Sequence, residues 1–355
     1  MKKSGLAVFL SLCFIAGLFF TKKGYADNFS GDWEKKDKDW YFFLGPNRPL
    51  EDEWLDYNGA SYFIGKGGKM VTGRYLDPED KAEYFFDDDG RLLVDAFSKD
   101  GTLYIGKNGK ELRYFNDYRA FLRTELTSLK QKDFGKKTEV ASGGAESTAT
   151  SLEGKVIHPE AYALLDINGD GYKDILLLKD KVGEETKLSP NVLAVILYKE
   201  EMHVTRESRE EEKNKTENEK IPIKERSLTP LLEAEADGSY NFVVRRDNLT
   251  GEPAFLRNNW GGGDYAVFQY KKNEGLTSPY SITVKRDALG SAQYYSFADE
   301  VDFTDYQSVL QTIQNRFGEP YPIKSYNLDE DGLREGLKDF TQDELSFFAS
   351  QEFNN

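Results

Sequence analysis

Glu53-Trp54-Leu55-Asp56-Tyr57-Asn58-Gly59-Ala60-Ser61-Tyr62-Phe63-Ile64 is the stretch on which the fold turns. Two short aromatic-rich segments flank Asn58-Gly59, a dipeptide that tolerates positive φ at both positions, and this combination signals a β-hairpin. The pattern recurs along the chain. An aromatic residue opens a unit at Trp33, Trp54, Tyr75 and Phe97, with steps of 21, 21 and 22 residues. A second aromatic group follows inside each unit, at Trp40-Tyr41-Phe42, Tyr62-Phe63, Tyr84-Phe85 and Tyr104. Gly-basic turns close three of the units, at Gly68-Lys69-Met70, Gly90-Arg91-Leu92 and Gly109-Lys110. A lone hairpin cannot bury its own apolar face, so a short fixed period implies a stacked array. Residues 27–113 are therefore expected to form a β-hairpin repeat solenoid.

On the N-terminal side, residues 1–26 read as an export signal. Lys2 and Lys3 precede an apolar run from Gly5 to Phe20, and Tyr25-Ala26-Asp27 offers a cleavage site. The run is short for a membrane span, which needs roughly 20 residues, so no span is expected after cleavage. The only cysteine, Cys13, lies in this run, and Leu12 before it is not the small residue that a lipoprotein signal wants. The exported chain then has no disulfide, and its stability must come from cores, stacked repeats or bound ions.

On the C-terminal side, Tyr118, Phe121, Leu122, Leu126 and Leu129 recur at helical spacing. An amphipathic helix is expected from about Asp117 to Gln131, capped by Asn116 or Asp117. Ala141 to Ser151 is small and polar and reads as a flexible linker, which makes 114–151 a helix-and-linker region. Residues 152–355 read as a separate α+β domain with antiparallel strands. Apolar strands are expected at Ala161 to Leu165, Ile175 to Leu178 and Val192 to Tyr198, and further ones at Tyr240 to Arg245, Tyr265 to Tyr270 and Tyr280 to Val284. The charged run from Arg206 to Glu225 reads as a loop. Thr304 or Asp305 can start a helix that stops at Gly318, and Thr341 with Glu344 forms a capping-box pattern. The whole is mostly β.

At the aromatic units the sequence resembles the cell-wall-binding repeat family, whose best-known members bind choline on teichoic acids of Gram-positive bacteria. Asp32-Trp33 with Trp40-Tyr41-Phe42 matches the first repeat. Trp54 with Tyr62-Phe63 and Gly68 to Gly73 matches the second. The resemblance spans about 80 of the 355 residues. It implies an aromatic cage in which ring faces stabilise a quaternary ammonium, with Trp33, Trp40, Tyr41, Trp54 and Tyr62 as the candidates. The second tryptophan of the unit is replaced by Ser61, Glu83 and Leu103 in the later repeats, so at most one complete cage is expected. A glycan ligand and a ligand-free spacer are the rival readings, since aromatic faces also stack on sugar rings and on each other.

Asp166-Ile167-Asn168-Gly169-Asp170-Gly171-Tyr172-Lys173-Asp174 is the sharpest local motif. Oxygen donors at the first, third, fifth and ninth positions, with the Tyr172 carbonyl at the seventh, suit calcium. Leu177 stands where an EF-hand needs Glu, and the flanks are strand-like, so the loop resembles those of FG-GAP and related extracellular β-repeat domains. Structural calcium bound by Asp166, Asn168, Asp170, Tyr172 and Asp174 is expected, with a self-satisfied Asx turn as the alternative. Asn327 to Gly332 is a second acidic cluster, which reads as a helix cap more readily than as a metal site.

No catalytic residues stand out. Only His158 and His203 exist, and both read as surface residues. Trp260-Gly261-Gly262-Gly263-Asp264 reads as a Gly-rich turn. The formal net charge is −15, and the four lysines of the export segment make the remainder more acidic still. Nucleic-acid binding, which needs clustered Lys and Arg, is disfavoured. The expected function is a secreted binding protein associated with the cell surface or cell wall, held to wall choline or polysaccharide by its repeats. A wall- or glycan-acting hydrolase localised by the repeats is the alternative.

Overall fold

The computed structural model describes residues 29–134, 157–181, 191–205, 221–234, 241–259, 263–287 and 289–352. The export segment, the linker at Ala141 to Ser151, most of the charged run and Trp260 to Gly262 lie outside the described residues. The chain is mostly β and divides between Leu112 and Arg113 into two compact units.

The first unit is four antiparallel hairpins in sequence order. They are β1 (Asp32–Lys36) with β2 (Asp39–Phe43), β3 (Glu53–Tyr57) with β4 (Ala60–Ile64), β5 (Gly73–Leu76) with β6 (Glu83–Phe86), and β7 (Ala96–Phe97) with β8 (Tyr104–Ile105). Asn58 (φ 51°) and Gly59 (φ 77°) make the β3–β4 turn as the sequence requires. Side chains alternate along a strand, so each hairpin has one face toward the preceding hairpin and one toward the next. Trp33 and Phe42 meet Leu55, Tyr62 and Ile64 of the second hairpin in one core, and Phe63 of the second meets Phe86 and Leu92 in the next. Backbone bonds stitch the turns back to earlier hairpins. The Met70 amide donates to the Trp40 carbonyl (2.8 Å) and the Leu92 amide to the Ser61 carbonyl (2.7 Å).

Register corrects two equivalences in the repeat, and the first is that Thr102, two residues before Tyr104, rather than Leu103 stands at the second tryptophan position of the fourth unit. Trp33 lies opposite Phe42, Trp54 opposite Phe63 and Phe97 opposite Tyr104, but the residue opposite Phe85 is Arg74. Tyr75, one residue on, pairs with Tyr84 and points to the other face. Arg74, not Tyr75, occupies the opening-aromatic position in the third unit.

The second unit opens with α1 (Arg113–Leu129). Eleven strands follow: β9 (Ala161–Leu165), β10 (Asp174–Leu178), β11 (Asn191–Thr205), β12 (Ile221–Glu233), β13 (Asn241–Arg246), β14 (Pro253–Asn259), β15 (Asp264–Lys271), β16 (Gly275–Arg286), β17 (Ala292–Ser296), β18 (Asp299–Val301) and, after α2 (Phe303–Phe317), β19 (Ser325–Asn327). The helices α3 (Glu330–Gly336) and α4 (Gln342–Glu352) close the chain. The strands form one antiparallel sheet in the order β18-β17-β16-β15-β14-β13-β11-β10-β9-β19, with β12 beside β11. β10 is buried along its whole length, as its unbroken apolar run demands. One core gathers Leu176, Val195, Val244 and Phe255, and a second lies under α2 around Ile313 and Phe317.

Several boundaries differ from expectation, and α2 is one, since it starts at Phe303 behind an Asp302 cap rather than at Thr304 or Asp305. α1 starts at Arg113, so Asn116 is inside the helix and buried rather than capping it. Residues 221–225, read as part of a charged loop, begin β12. Pro222 and Pro230 hide that strand from a propensity reading. Among the described residues β12 pairs on one side only, with β11, and an edge strand tolerates proline.

Candidate functional site

The five cage candidates do not converge on one site. β1 and β2 place Trp33, Lys35, Trp40 and Phe42 on one face of the first hairpin, because Trp33 is registered with Phe42 and Lys35 with Trp40. The facing side of the second hairpin carries Leu55, Tyr57 and Tyr62. Trp33 meets Phe42 (ring centroids 5.3 Å) and Tyr62 (5.1 Å) edge-on. Trp40 is 39% exposed, so it forms the open side of this first interface, while Tyr62 is at 9% and forms the inner wall. Trp33, Trp40 and Tyr62 thus share one interface. Tyr41 alternates to the opposite face of its hairpin, where Lys36 lies over its ring. Trp54 belongs to the second interface and packs on Phe63 (5.3 Å) and Tyr84 (4.8 Å).

Cations stand beside these rings. At the first interface the Lys35 ammonium lies 5.5 Å from the Trp40 ring centroid. The Tyr62 side chain raises the guanidinium of Arg91, which comes from the Gly-basic turn of the third unit. At the second interface the corresponding Lys110 lies 5.2 Å from the Tyr84 ring centroid and donates to Asp80 Oδ2 (2.9 Å). At the third, Arg74 and Glu83 occupy the two tryptophan positions and pair with each other. A groove of about 940 Å³ opens there, lined by Arg74, Phe85, Phe97, Leu103 and the carboxylates of Asp87 and Asp100. The arginine and the groove went unseen in the sequence, because the one-residue register difference at Arg74 is visible only in strand pairing.

In the second unit the acidic loop joins β9 to β10. The Gly169 and Gly171 amides donate to the two oxygens of Asp166, the Asp170 amide to Asn168 Oδ1, and the Tyr172 amide to Asp170 Oδ1. Asp174 is fully buried and accepts from the Ile167 and Tyr198 amides, both at 2.8 Å. The loop is therefore closed by its own backbone. Burial pushes the Asp174 carboxyl up to about 7, with the Asp170 and Asp166 charges adding to the rise against those two amide bonds. Burial, with the Asp166 charge, also raises Asp170. Concentrated negative charge of this kind suits a cation. Among the described residues no three Asp, Glu, His or Cys side chains form a metal cluster, so a calcium ion would need Asn168 Oδ1 and the Tyr172 carbonyl as well. Asp174 is the least suited of the five to direct contact, and at the ninth position a water commonly intervenes.

α1 and α4 clamp this loop. Tyr118 donates to the Lys173 carbonyl and accepts from its amide (2.9 and 3.0 Å). Gly171 has φ 93°, and a Cβ there would lie 2.7 Å from the Phe347 ring. The second acidic cluster serves as a cap: Asp329 accepts from the Gly332 amide at the start of α3. His158 is exposed beside Asp133, and the His203 side chain lies outside the described residues. Of the Gly-rich turn, Gly263 accepts from the Tyr306 hydroxyl and Asp264 from the Val284 amide.

No family model matches the chain. Glucosyltransferase-S of Streptococcus mutans is 29% identical over 97 residues, which are 25% of this chain and 7% of that enzyme. The choline-binding domain of CbpL from Streptococcus pneumoniae is 29% identical with a TM-score of 0.20, over 23% of this chain and 42% of that one. The multimodular pneumococcal cell wall endolysin from phage Cp-1, solved with choline, is 21% identical with a TM-score of 0.13, over 23% of this chain and 36% of that one. The chain spans less than half the length of each of these three proteins. No helix among the described residues is long and apolar enough to cross a membrane.

Proposed function

We propose that the chain is a secreted surface protein that attaches to a cell-wall polymer bearing choline, through the interface of its first two hairpins. One observation carries this reading: Trp33, Trp40 and Tyr62 share that interface, with Trp40 open to solvent. Two tryptophan rings and a tyrosine supply the negative ring potential that a quaternary ammonium needs, with no hydrogen bond required. Lys35 is no fixed obstacle, since it pairs with no carboxylate among the described residues and its stem is flexible. Tyr41 and Trp54 fall outside the cage. In the second unit the acidic loop would hold calcium through Asp166, Asn168, Asp170 and Tyr172. That ion would be structural, joining β9 to β10 beneath α4.

Sedimentation of the full chain with choline-bearing Gram-positive walls tests the attachment. Co-sedimentation should be reversed by free choline and reduced at least tenfold by Trp40→Ala. Binding that ignores choline would identify a glycan ligand instead, and no binding by the wild type would leave the repeats as a spacer.

A further inference from the structure

The Gly-basic turns of the third and fourth units each bring a cation to a tyrosine of an earlier hairpin, whereas Lys69 of the second pairs with Asp39, and the two aromatic interfaces differ in how the cation is held. Tyr62 and Tyr84 are structural counterparts, because Trp54 pairs with Phe63 one residue from the Leu55–Tyr62 pair, as Arg74 pairs with Phe85 beside the Tyr75–Tyr84 pair. The Tyr62 side chain raises the Arg91 guanidinium, and no carboxylate holds that cation over the ring among the described contacts. Lys110 instead puts its ammonium 5.2 Å from the centroid of the Tyr84 ring. It is fixed there by Asp80, which also accepts from the Tyr84 hydroxyl (2.8 Å). Trp54 packs edge-on against that tyrosine and donates its indole N–H to Asp77 (3.2 Å).

An ammonium over an aromatic ring with a carboxylate beside it is the arrangement an external cation would adopt. We infer that Lys110 is a built-in occupant of the second aromatic interface, excluding external quaternary ammonium there and limiting the repeats to a single ligand site. The inference rests on the choline reading for the ligand's chemistry, but its residues are separate from Trp33, Trp40 and Tyr62. Lys110 differs from Lys35 in having a carboxylate anchor, so the second seat stays filled where the first can be vacated. At the third interface no equivalent occupant is needed, because Arg74 and Glu83 have replaced both tryptophan walls.

The test is a choline titration followed by the indole N–H resonance of Trp54, in full-length chains carrying Trp40→Ala to silence the first interface. The Lys110→Met change keeps the apolar stem and removes the charge. Its Trp54 resonance should shift saturably with choline at a concentration at least tenfold below any response of the parent, and Lys110→Arg should behave as the parent. Tetramethylammonium chloride should reproduce the effect, which attributes it to the ammonium rather than the hydroxyl. The inference is overturned if Lys110→Met, folded and melting with the parent, responds no more than the parent. It is equally overturned if the parent already shows a saturable Trp54 shift in the same range. A chain whose wild type ignores choline-bearing walls while Lys110→Met gains the Trp54 response would defeat the attachment reading and leave this one standing.

Discussion

Asp247 is a fully buried carboxylate whose surroundings are built for the charge. Arg316 donates to both of its oxygens (2.8 and 2.6 Å), Gln269 donates to Oδ2 and the Leu249 amide to Oδ1. The Arg316 guanidinium holds the carboxyl well below the usual carboxylate range, against the opposing effect of burial. The folded carboxyl thus binds its proton less tightly than the unfolded one. This contribution is complete above the unfolded value of about 4 and is lost as pH falls through the window below it. Asp247→Asn should cost roughly 3 kcal/mol at pH 7, toward the lower end for breaking a buried pair because Arg316 keeps some solvent access. Urea titrations at pH 7 and pH 3 check both parts: the gap between wild type and variant should narrow at the lower pH. An unchanged gap would mean that geometry rather than charge sets the cost. Lys110 shows the same principle at the surface, where a carboxylate 30 residues away fixes the seat of a cation.

At the scale of elements, α4 begins with a reciprocal pair. The Thr341 amide donates to Glu344 Oε2 (2.7 Å) and the Glu344 amide to Thr341 Oγ1 (3.3 Å). Thr341→Ala should lower stability by about 1 kcal/mol, and α4 amides should exchange faster in deuterium while those of β10 hold. Equal acceleration in both would show that α4 does not open separately. This cap was readable in the sequence, as was the Asn58-Gly59 turn, because each depends on residues within four positions of one another. β10 and the Val192 to Tyr198 strand were readable for a related reason, since continuous burial leaves a continuous apolar run. The features that escaped depend on distant partners. β12 is a strand because β11 pairs with it residue by residue from Ala194 to Thr205, despite its two prolines. Arg74 takes a tryptophan's position because register fixes which face it shares, and an aromatic neighbour masked that in the sequence. Tyr41 and Trp54 were adjacent to the right residues in the repeat but alternate away from them in space.

At the scale of the molecule, the two proposed ligand sites fall in different compact units, which a melting experiment can separate. Calcium at the acidic loop would neutralise charge in the unit that runs from Arg113, where burial now works against the charges of Asp170 and Asp174. A ligand that binds only the folded state stabilises it by about 2.7 kcal/mol at a hundredfold excess over its dissociation constant. For a unit of this size that is a rise of roughly 5–10 °C. Calorimetry of the full chain should therefore show one transition moved upward by calcium and returned by chelator, and Asp166→Ala should abolish the shift. Choline should act on the transition that Trp40→Ala leaves unresponsive, since its contacts lie among the hairpins. Hydrogen bonds from backbone amides already close the loop, so a null calcium response would mean that Asp166 and Asp170 serve as Asx-turn acceptors. The raised Asp174 carboxyl would then be a cost the β10 core carries without compensation from an ion.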